Sequence, residues 1–368
     1  MSSYIPGLEN VIASETGISY LDVEQEEIVV RGYDLIELAQ RVKYLDVAGL
    51  LLEGSLPSMQ QRQTLENALK AEYGLHENVR SMLKLLPAEA DLMDVLRTGI
   101  SALASYDSEL DDRSVEANRR KAIRLLAKVP QLLANGYQAK TEHMFLDPRE
   151  DLSYTANFLY MISGQMPTKM EEDIFDQSLI VYSEHEMPNS TFAARVIAST
   201  QSDLYGALTG AVASLKGTLH GGANEAVMEM LLEAGSESKL ETLMLGKLAR
   251  KERIMGFGHR VYMKKPDPRA LLMKDALAAL ALEKNQPELY TMCVVGEELM
   301  KREKNLHPNL DYYAAPVYYL LGIPIDMFTP VFLAARTAGI SAHVIEQHAH
   351  NRLFRPRVRY TGPRHLHP

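Results

Sequence analysis

The residues most able to do chemistry in this 368-residue chain gather between Lys216 and Arg269. That stretch holds Lys216-Gly-Thr-Leu-His220-Gly-Gly-Ala-Asn-Glu225, then Met255-Gly-Phe-Gly-His259-Arg-Val-Tyr262, then Asp267-Pro-Arg269. Glycines let backbone N–H groups approach a ligand, and helix N-termini favour negative charge. A histidine in such a place can hold or donate a proton near neutral pH. A third histidine, His185, stands between two glutamates in Ser183-Glu-His-Glu-Met-Pro-Asn189. A lone histidine is ordinarily a satisfied core or surface residue. The glycine flanks are what set His220 and His259 apart.

A carboxylate and three arginines complete the candidate set. Asp311, in Asn309-Leu-Asp311-Tyr-Tyr-Ala-Ala-Pro316, follows Pro308 and precedes an apolar helical run. It reads either as a helix N-cap or as a general base at a helix start. Arg269, Arg336 (Ala334-Ala-Arg336-Thr-Ala-Gly339) and Arg355 (Leu353-Phe-Arg355-Pro-Arg357) lie among small or apolar residues. Burying an unpaired arginine is costly, so each calls for an anion, either an internal carboxylate or a ligand. Three forks of this kind beside histidines point to a small polycarboxylate, which they can grip bidentately.

Two tempting motifs fail. Gly256-Phe-Gly258 lacks the third glycine of a dinucleotide fingerprint and follows no clear strand. His343-Val-Ile-Glu346-Gln347-His348 has glutamine where the second histidine is needed, so it is no H-x-x-E-H zinc motif. With His350, His365 and His367 these histidines read as a helix face and a tail, and no metal is expected.

Composition bounds the rest. The length suits a large core with more than one lobe, and 46% hydrophobic residues is ordinary for a globular protein. A formal charge of −9 disfavours nucleic acid as a partner. The one cysteine, Cys293, permits neither an internal disulfide nor a multi-cysteine metal site. The N-terminus lacks a basic and then apolar leader, and no apolar run is expected to reach membrane-span length, so a cytoplasmic protein is expected.

These residues must be positioned by helices. One β-hairpin is expected over residues 17–33, where Ile18-Ser-Tyr20-Leu and Ile28-Val-Val30 flank a polar run. Beyond Gly32 the pattern is helical: Asp34 can cap the first helix, Gly54 and Gly74 end the next two, and Pro87, Pro130, Pro148 and Pro167 are expected to separate further helices. A helix over 203–215 carries Gly206 and Gly210, which fit either a close helix crossing or a subunit interface. Another leads from Asn224 to Ala234. Residues 236–310 are the most charged and suit a smaller inserted lobe. The apolar stretch 312–336, expected to break at Pro316, Gly322-Ile-Pro324 and Pro330, returns to the main core.

Taken in order, His185, His220, His259, Arg269, Asp311, Arg336 and Arg355 make the chain resemble the citrate synthase family. Pro6-Gly-Leu-Glu-Asn-Val-Ile-Ala13, Arg31-Gly-Tyr-Asp34, Met93-Asp-Val-Leu-Arg97 and Arg352-Leu-Phe-Arg355-Pro-Arg357 extend the likeness over nearly its whole length. It is most similar to the shorter bacterial branch containing 2-methylcitrate synthases. The resemblance implies an all-α fold with the small N-terminal β-hairpin, a homodimer, and a large domain (1–220 plus 323–368) over which a small domain (221–322) closes. It implies condensation of oxaloacetate with propionyl-CoA or acetyl-CoA and water, giving 2-methylcitrate or citrate and free CoA, without metal or redox cofactor.

The roles follow by motif position. Asp311 matches the base that takes the acyl α-proton, His220 the donor to the thioester oxygen, and His259 the group that polarises the ketone. His185, Arg269 and Arg336 match oxaloacetate ligands, and Arg355 is expected to reach into the neighbouring subunit. Ala223, Phe257, Gly258, Lys264, Lys265 and Asn309 are expected at the CoA. Two departures bear on acyl preference and on the CoA loop: Tyr312-Tyr313-Ala314-Ala315, where many members have a serine after the aromatic pair, and a longer loop at Met263-Lys-Lys-Pro266. A dedicated citrate synthase is the alternative. A lyase-like module and a non-catalytic paralogue are the more distant ones.

Overall fold

The computed structural model describes residues 4–9, 11–22, 27–258 and 266–368. Three short antiparallel strands open it: β1 (Ser19–Asp22), β2 (Glu27–Val30) and β3 (Tyr33–Asp34), in that order. Ser19 pairs with Val30 and Leu21 with Ile28, so the alternating apolar residues Ile28 and Val30 share the buried face. The hairpin is as expected, with β3 added at its edge.

Helices follow: α1 (Leu35–Arg41), α2 (Tyr44–Glu53), α3 (Met59–Ala71), α4 (Glu77–Leu85), α5 (Leu92–Ala104), α6 (Val115–Lys140), α7 (Tyr154–Ser163), α8 (Lys169–Ser183), α9 (Asn189–Ala198) and α10 (Leu204–Leu215). Then come α11 (Ala223–Ala234), α12 (Glu237–Ala249), α13 (Pro268–Glu283), α14 (Pro287–Lys304), α15 (Leu310–Leu320) and α16 (Phe328–Ala349). Their ends obey local chemistry. Asp34 accepts from the Glu37 N–H at 2.7 Å, and Asp203 caps α10 through Gly206 N–H at 2.8 Å. Gly54, at φ 85°, ends α2 in the left-handed conformation.

Three prolines do not break helices where expected. Pro130 lies inside α6 and Pro316 inside α15. An interior proline forfeits one helix hydrogen bond and costs roughly 3 kcal/mol. Both are buried in helices packed on several sides, α6 against α5, α7 and α16, and α15 against α11 and α13. Tertiary burial outweighs the local cost. Pro330 sits in the first turn of α16, where no intrahelical N–H bond is needed.

α16 runs through the core against α6, α8 and α9. Contrary to expectation, Ile325–Ala349 is long and apolar enough to cross a membrane, but 94% of its 18-residue apolar window is buried inside the protein. Helices α11 to α15 pack largely on one another, α13 and α11 on α15 and α12 on α14. The small residues of α10 serve a helix crossing: a Cβ on Gly210 would stand 2.1 Å from Ile197 of α9.

Candidate active site

Arg336 is the hub. It projects from the middle of α16, is almost fully buried, and donates through Nε to the carbonyl of Tyr182 at the end of α8. Its guanidinium lies 4.7 Å from the centre of the Phe332 ring, one turn earlier on the same helix. Burial pulls its pKa down to about 10, partly countered by Glu184 and reinforced by Arg269. It remains charged at neutral pH.

Arg269 enters from the first turn of α13. Its Nε and Nη2 meet the two oxygens of Asp267 at 3.0 and 2.8 Å, a bidentate pair in which both residues are buried. Asp267 also accepts from Leu310 N–H at 3.2 Å, which ties the Arg269 turn to the start of α15. The internal salt bridge anticipated for Arg269 therefore exists, and it orients the fork.

Asp311 is the second residue of α15. The cap is Asn309, whose Oδ1 accepts from Asp311 N–H at 3.1 Å, so the capping reading of Asp311 is displaced. Its carboxylate is turned instead to Tyr182, whose hydroxyl donates to Oδ1 at 2.6 Å. Burial pushes the Asp311 pKa up, while Tyr182, Arg269 and Arg336 pull against it, and the net shift is upward. A half-enclosed carboxylate of raised pKa is a stronger base than a solvated one.

His220 lies in the turn between α10 and α11, and Gly222 at φ 79° starts α11. Its Nε2 accepts from Ser190 N–H at 3.1 Å, with Ser190 Oγ at 2.9 Å, at the start of α9. With Nε2 accepting, the ring proton sits on Nδ1 as a donor. Burial first, and then the charge of Arg336, lowers the His220 pKa to about 4. His220 is neutral at pH 7.

The turn before α15 is built from backbone bonds. Gly258 N–H donates to His307 O at 3.0 Å, Asn309 N–H to Gly256 O at 2.9 Å, and Asn309 Nδ2 to Gly258 O at 3.1 Å. Gly256, at φ 85°, has Val227 and Tyr312 so close that a Cβ would stand 2.7 and 2.9 Å from them. Phe257 is buried against Tyr312, ring centres 4.4 Å apart. Ala223 opens α11, which packs on α15.

Arg336 thus couples electrostatically to Arg269 and Asp311 and acts on His220, so these four form one cluster. His185 is buried directly after Glu184, in the α8–α9 connection. Arg355 is exposed in the segment beyond α16 and is not brought to the cluster within this chain. His259, Lys264 and Lys265 lie outside the described residues. Among those described, no group of three or more His, Cys, Asp or Glu could hold a metal.

Four residues escaped the sequence reading in any functional sense: Tyr182, Glu184, Ser190 and Asp267. Glu184 is fully buried; its Oε1 accepts from Ser19 Oγ at 2.8 Å and lies 3.1 Å from His343 Nε2. Arg195 donates to His343 Nδ1 at 2.9 Å, which leaves the Nε2 proton for Glu184. The one available signal was Tyr182-Ser-Glu184-His185 at the end of an apolar run.

A family model described as the citrate synthase C-terminal domain matches residues 7–357. The chain belongs to the citrate synthase family. It is 60% identical over 362 residues to the citrate/2-methylcitrate synthase of Bacillus subtilis, covering 98% of this chain and 97% of that one. It is 58% identical over 365 residues to the citrate synthase of Heyndrickxia coagulans, covering 99% and 98%. Among solved structures, the Thermoplasma acidophilum citrate synthase in ternary complex with carboxymethyl coenzyme A and oxaloacetate superposes with a TM-score of 0.92 at 30% identity, covering 98% of this chain and 96% of that one.

Proposed function

We propose that this chain condenses oxaloacetate with propionyl-CoA and acetyl-CoA, releasing 2-methylcitrate or citrate and free CoA. The observation that carries the reading is the pairing of a half-enclosed carboxylate, Asp311, with two buried arginines and a neutral histidine. Asp311 removes the acyl α-proton. The enol oxygen accepts a hydrogen bond from His220 Nδ1–H, which supplies stabilisation without cancelling the base's charge. The nucleophilic carbon then forms a C–C bond to the ketone of oxaloacetate, whose carboxylates Arg269, Arg336 and His185 hold in line. Water cleaves the thioester, and CoA leaves as the thiol.

His259 polarises the ketone in this scheme, and Lys264 or Lys265 meets CoA with Ala223, Phe257, Gly258 and Asn309. Residues 221–322 act as a small domain that closes over 1–220 and 323–368 and keeps water out until condensation is complete. The working unit is a cytoplasmic homodimer, with Arg355 serving the neighbouring active site. No metal or redox cofactor takes part.

The test is oxaloacetate-dependent release of CoA thiol, with kcat/KM compared for the two acyl-CoAs. Propionyl-CoA should be used at least as well as acetyl-CoA. One methyl group in an apolar pocket is worth only ~1–3 kcal/mol, so both should react. A strong acetyl-CoA preference would make the enzyme a dedicated citrate synthase, and no release with either would end the condensing reading.

A further inference from the structure

Tyr182 makes two contacts that no other residue of the cluster combines. Its hydroxyl donates to Asp311 Oδ1 at 2.6 Å, and its carbonyl accepts from Arg336 Nε. The side chain is almost fully buried, with its ring 4.6 Å from that of Phe332 and 6.2 Å from that of Tyr318. The hydroxyl therefore has little freedom to turn away.

We propose that Tyr182 is a positioning residue for the condensation, its hydroxyl holding one oxygen of Asp311 so that Oδ2 is the atom that takes the acyl α-proton. This rests on the assignment of Asp311 as base. A base shielded from water by burial must stay ionised and must present one lone pair at a fixed angle. A phenol meets both needs, because it donates to the charged form without adding a charge that would neutralise it. Arginine at the same place would tie up the carboxylate bidentately.

The electrostatic surroundings agree. Asp311 faces Tyr182 from α8, Asp267 and Arg269 from the start of α13, Arg336 from α16, and Tyr318 from its own helix. Burial drives its pKa up and Tyr182 is the first group drawing it down. Burial also pushes the Tyr182 phenol well above its ordinary range, so it stays a donor throughout the working pH range. The sign follows: removing the donor raises the pKa of Asp311, and activity that needs the carboxylate then fails at a higher pH on the acid side.

The experiment is the pH profile of kcat, together with KM for oxaloacetate, for wild type, Tyr182→Phe, and enzyme carrying 3-fluorotyrosine at position 182. In Tyr182→Phe, kcat should fall about 10- to 100-fold and the acid limb should rise by about one pH unit, as expected for a lost hydrogen bond to a charged group. KM for oxaloacetate should stay within about threefold, since the Tyr182 carbonyl that holds Arg336 is retained. The more acidic fluorophenol, a stronger donor of nearly the same shape, should move the acid limb the opposite way. An acid limb unmoved in the fluorotyrosine enzyme, or a loss in Tyr182→Phe confined to KM, overturns the proposal. If Tyr182→Phe does not fold, the fluorotyrosine enzyme decides alone. Wild-type enzyme that releases no CoA would instead sink the assignment of Asp311 itself.

Discussion

The two sides of the cluster hold their groups by different means. The wall made by α8, the α8–α9 connection, α9 and α16 carries buried charge on side chains: Arg336, Glu184, and Arg195 bridging His343 to Glu346 at 2.7 Å. The turn before α11 and the Gly256–Gly258 segment bonded to the residues before α15 are shaped by glycine and backbone hydrogen bonds, as at Gly222, Gly256 and Gly258. Burial on the wall raises the cost of losing any partner. On the turn side the constraint is space and backbone angle. In the proposed reaction, charged substrate groups would therefore meet a wall that cannot rearrange cheaply, while the enolising and CoA-facing groups would sit on turns whose shape is set locally.

Asp311 belongs to both sides, starting in a turn and ending against the wall, so removing its charge should have the largest effect. Asp311→Asn keeps the shape but cannot take a proton, and turnover should fall by about a thousandfold or more, on the order of 4 kcal/mol in the barrier. Oxaloacetate binding, followed by calorimetry, should stay within a few-fold. Turnover near wild type would show that the base lies elsewhere.

On the wall, Glu184→Ala leaves Arg336 without its main counter-charge and His343 Nε2 without its acceptor. Urea unfolding should show a loss of about 3–5 kcal/mol, the usual cost of breaking a buried pair from one side. KM for oxaloacetate should also rise. On the turn side, Gly256→Ala forces a side chain into a left-handed backbone and against Val227 and Tyr312. The expected loss is about 2–4 kcal/mol. It should be felt most by the acyl-CoA substrate. If Gly256→Ala raised KM for oxaloacetate more than Glu184→Ala did, the division of labour between wall and turns would be wrong.

The contrast also explains what could be read in advance. Glycines beside His220 and His259 and small residues around Arg336 leave a mark in sequence, because close approach and buried charge need unusual neighbours. The hairpin and the cap at Asp34 were equally plain, since each follows from a few adjacent residues. Tyr182 and Glu184 left no such mark. Each lies at the end of an apolar run, where an aromatic or acidic residue looks like any helix terminus, and its partner is distant in sequence, 129 residues away for Tyr182. Pro130 misled for the converse reason: a strong local signal was overridden by burial from several sides. Asp311 was ambiguous because cap and base share a position, and only the placement of Asn309 separates them.

His220 gives the smallest and most specific test, because it sits in a turn yet feels the charge of the wall. Its pKa is about 4 in the folded protein, lowered by burial and by Arg336, against 6.5 for the free side chain. Between these values the unfolded chain binds the proton that the folded one refuses. Stability from this group is therefore complete above about pH 6.5 and is lost as pH falls toward 4. Lowering the pH from 7 to 5 should cost about 1–2 kcal/mol through His220 alone. Urea midpoints for wild type and His220→Asn, compared at both pH values, isolate that share. The variant should lose less stability than wild type over the same interval. Parallel losses would mean that His220 is protonated as easily folded as unfolded. The lowering by burial and Arg336 would then be absent, and the turn would owe nothing to the charge behind it.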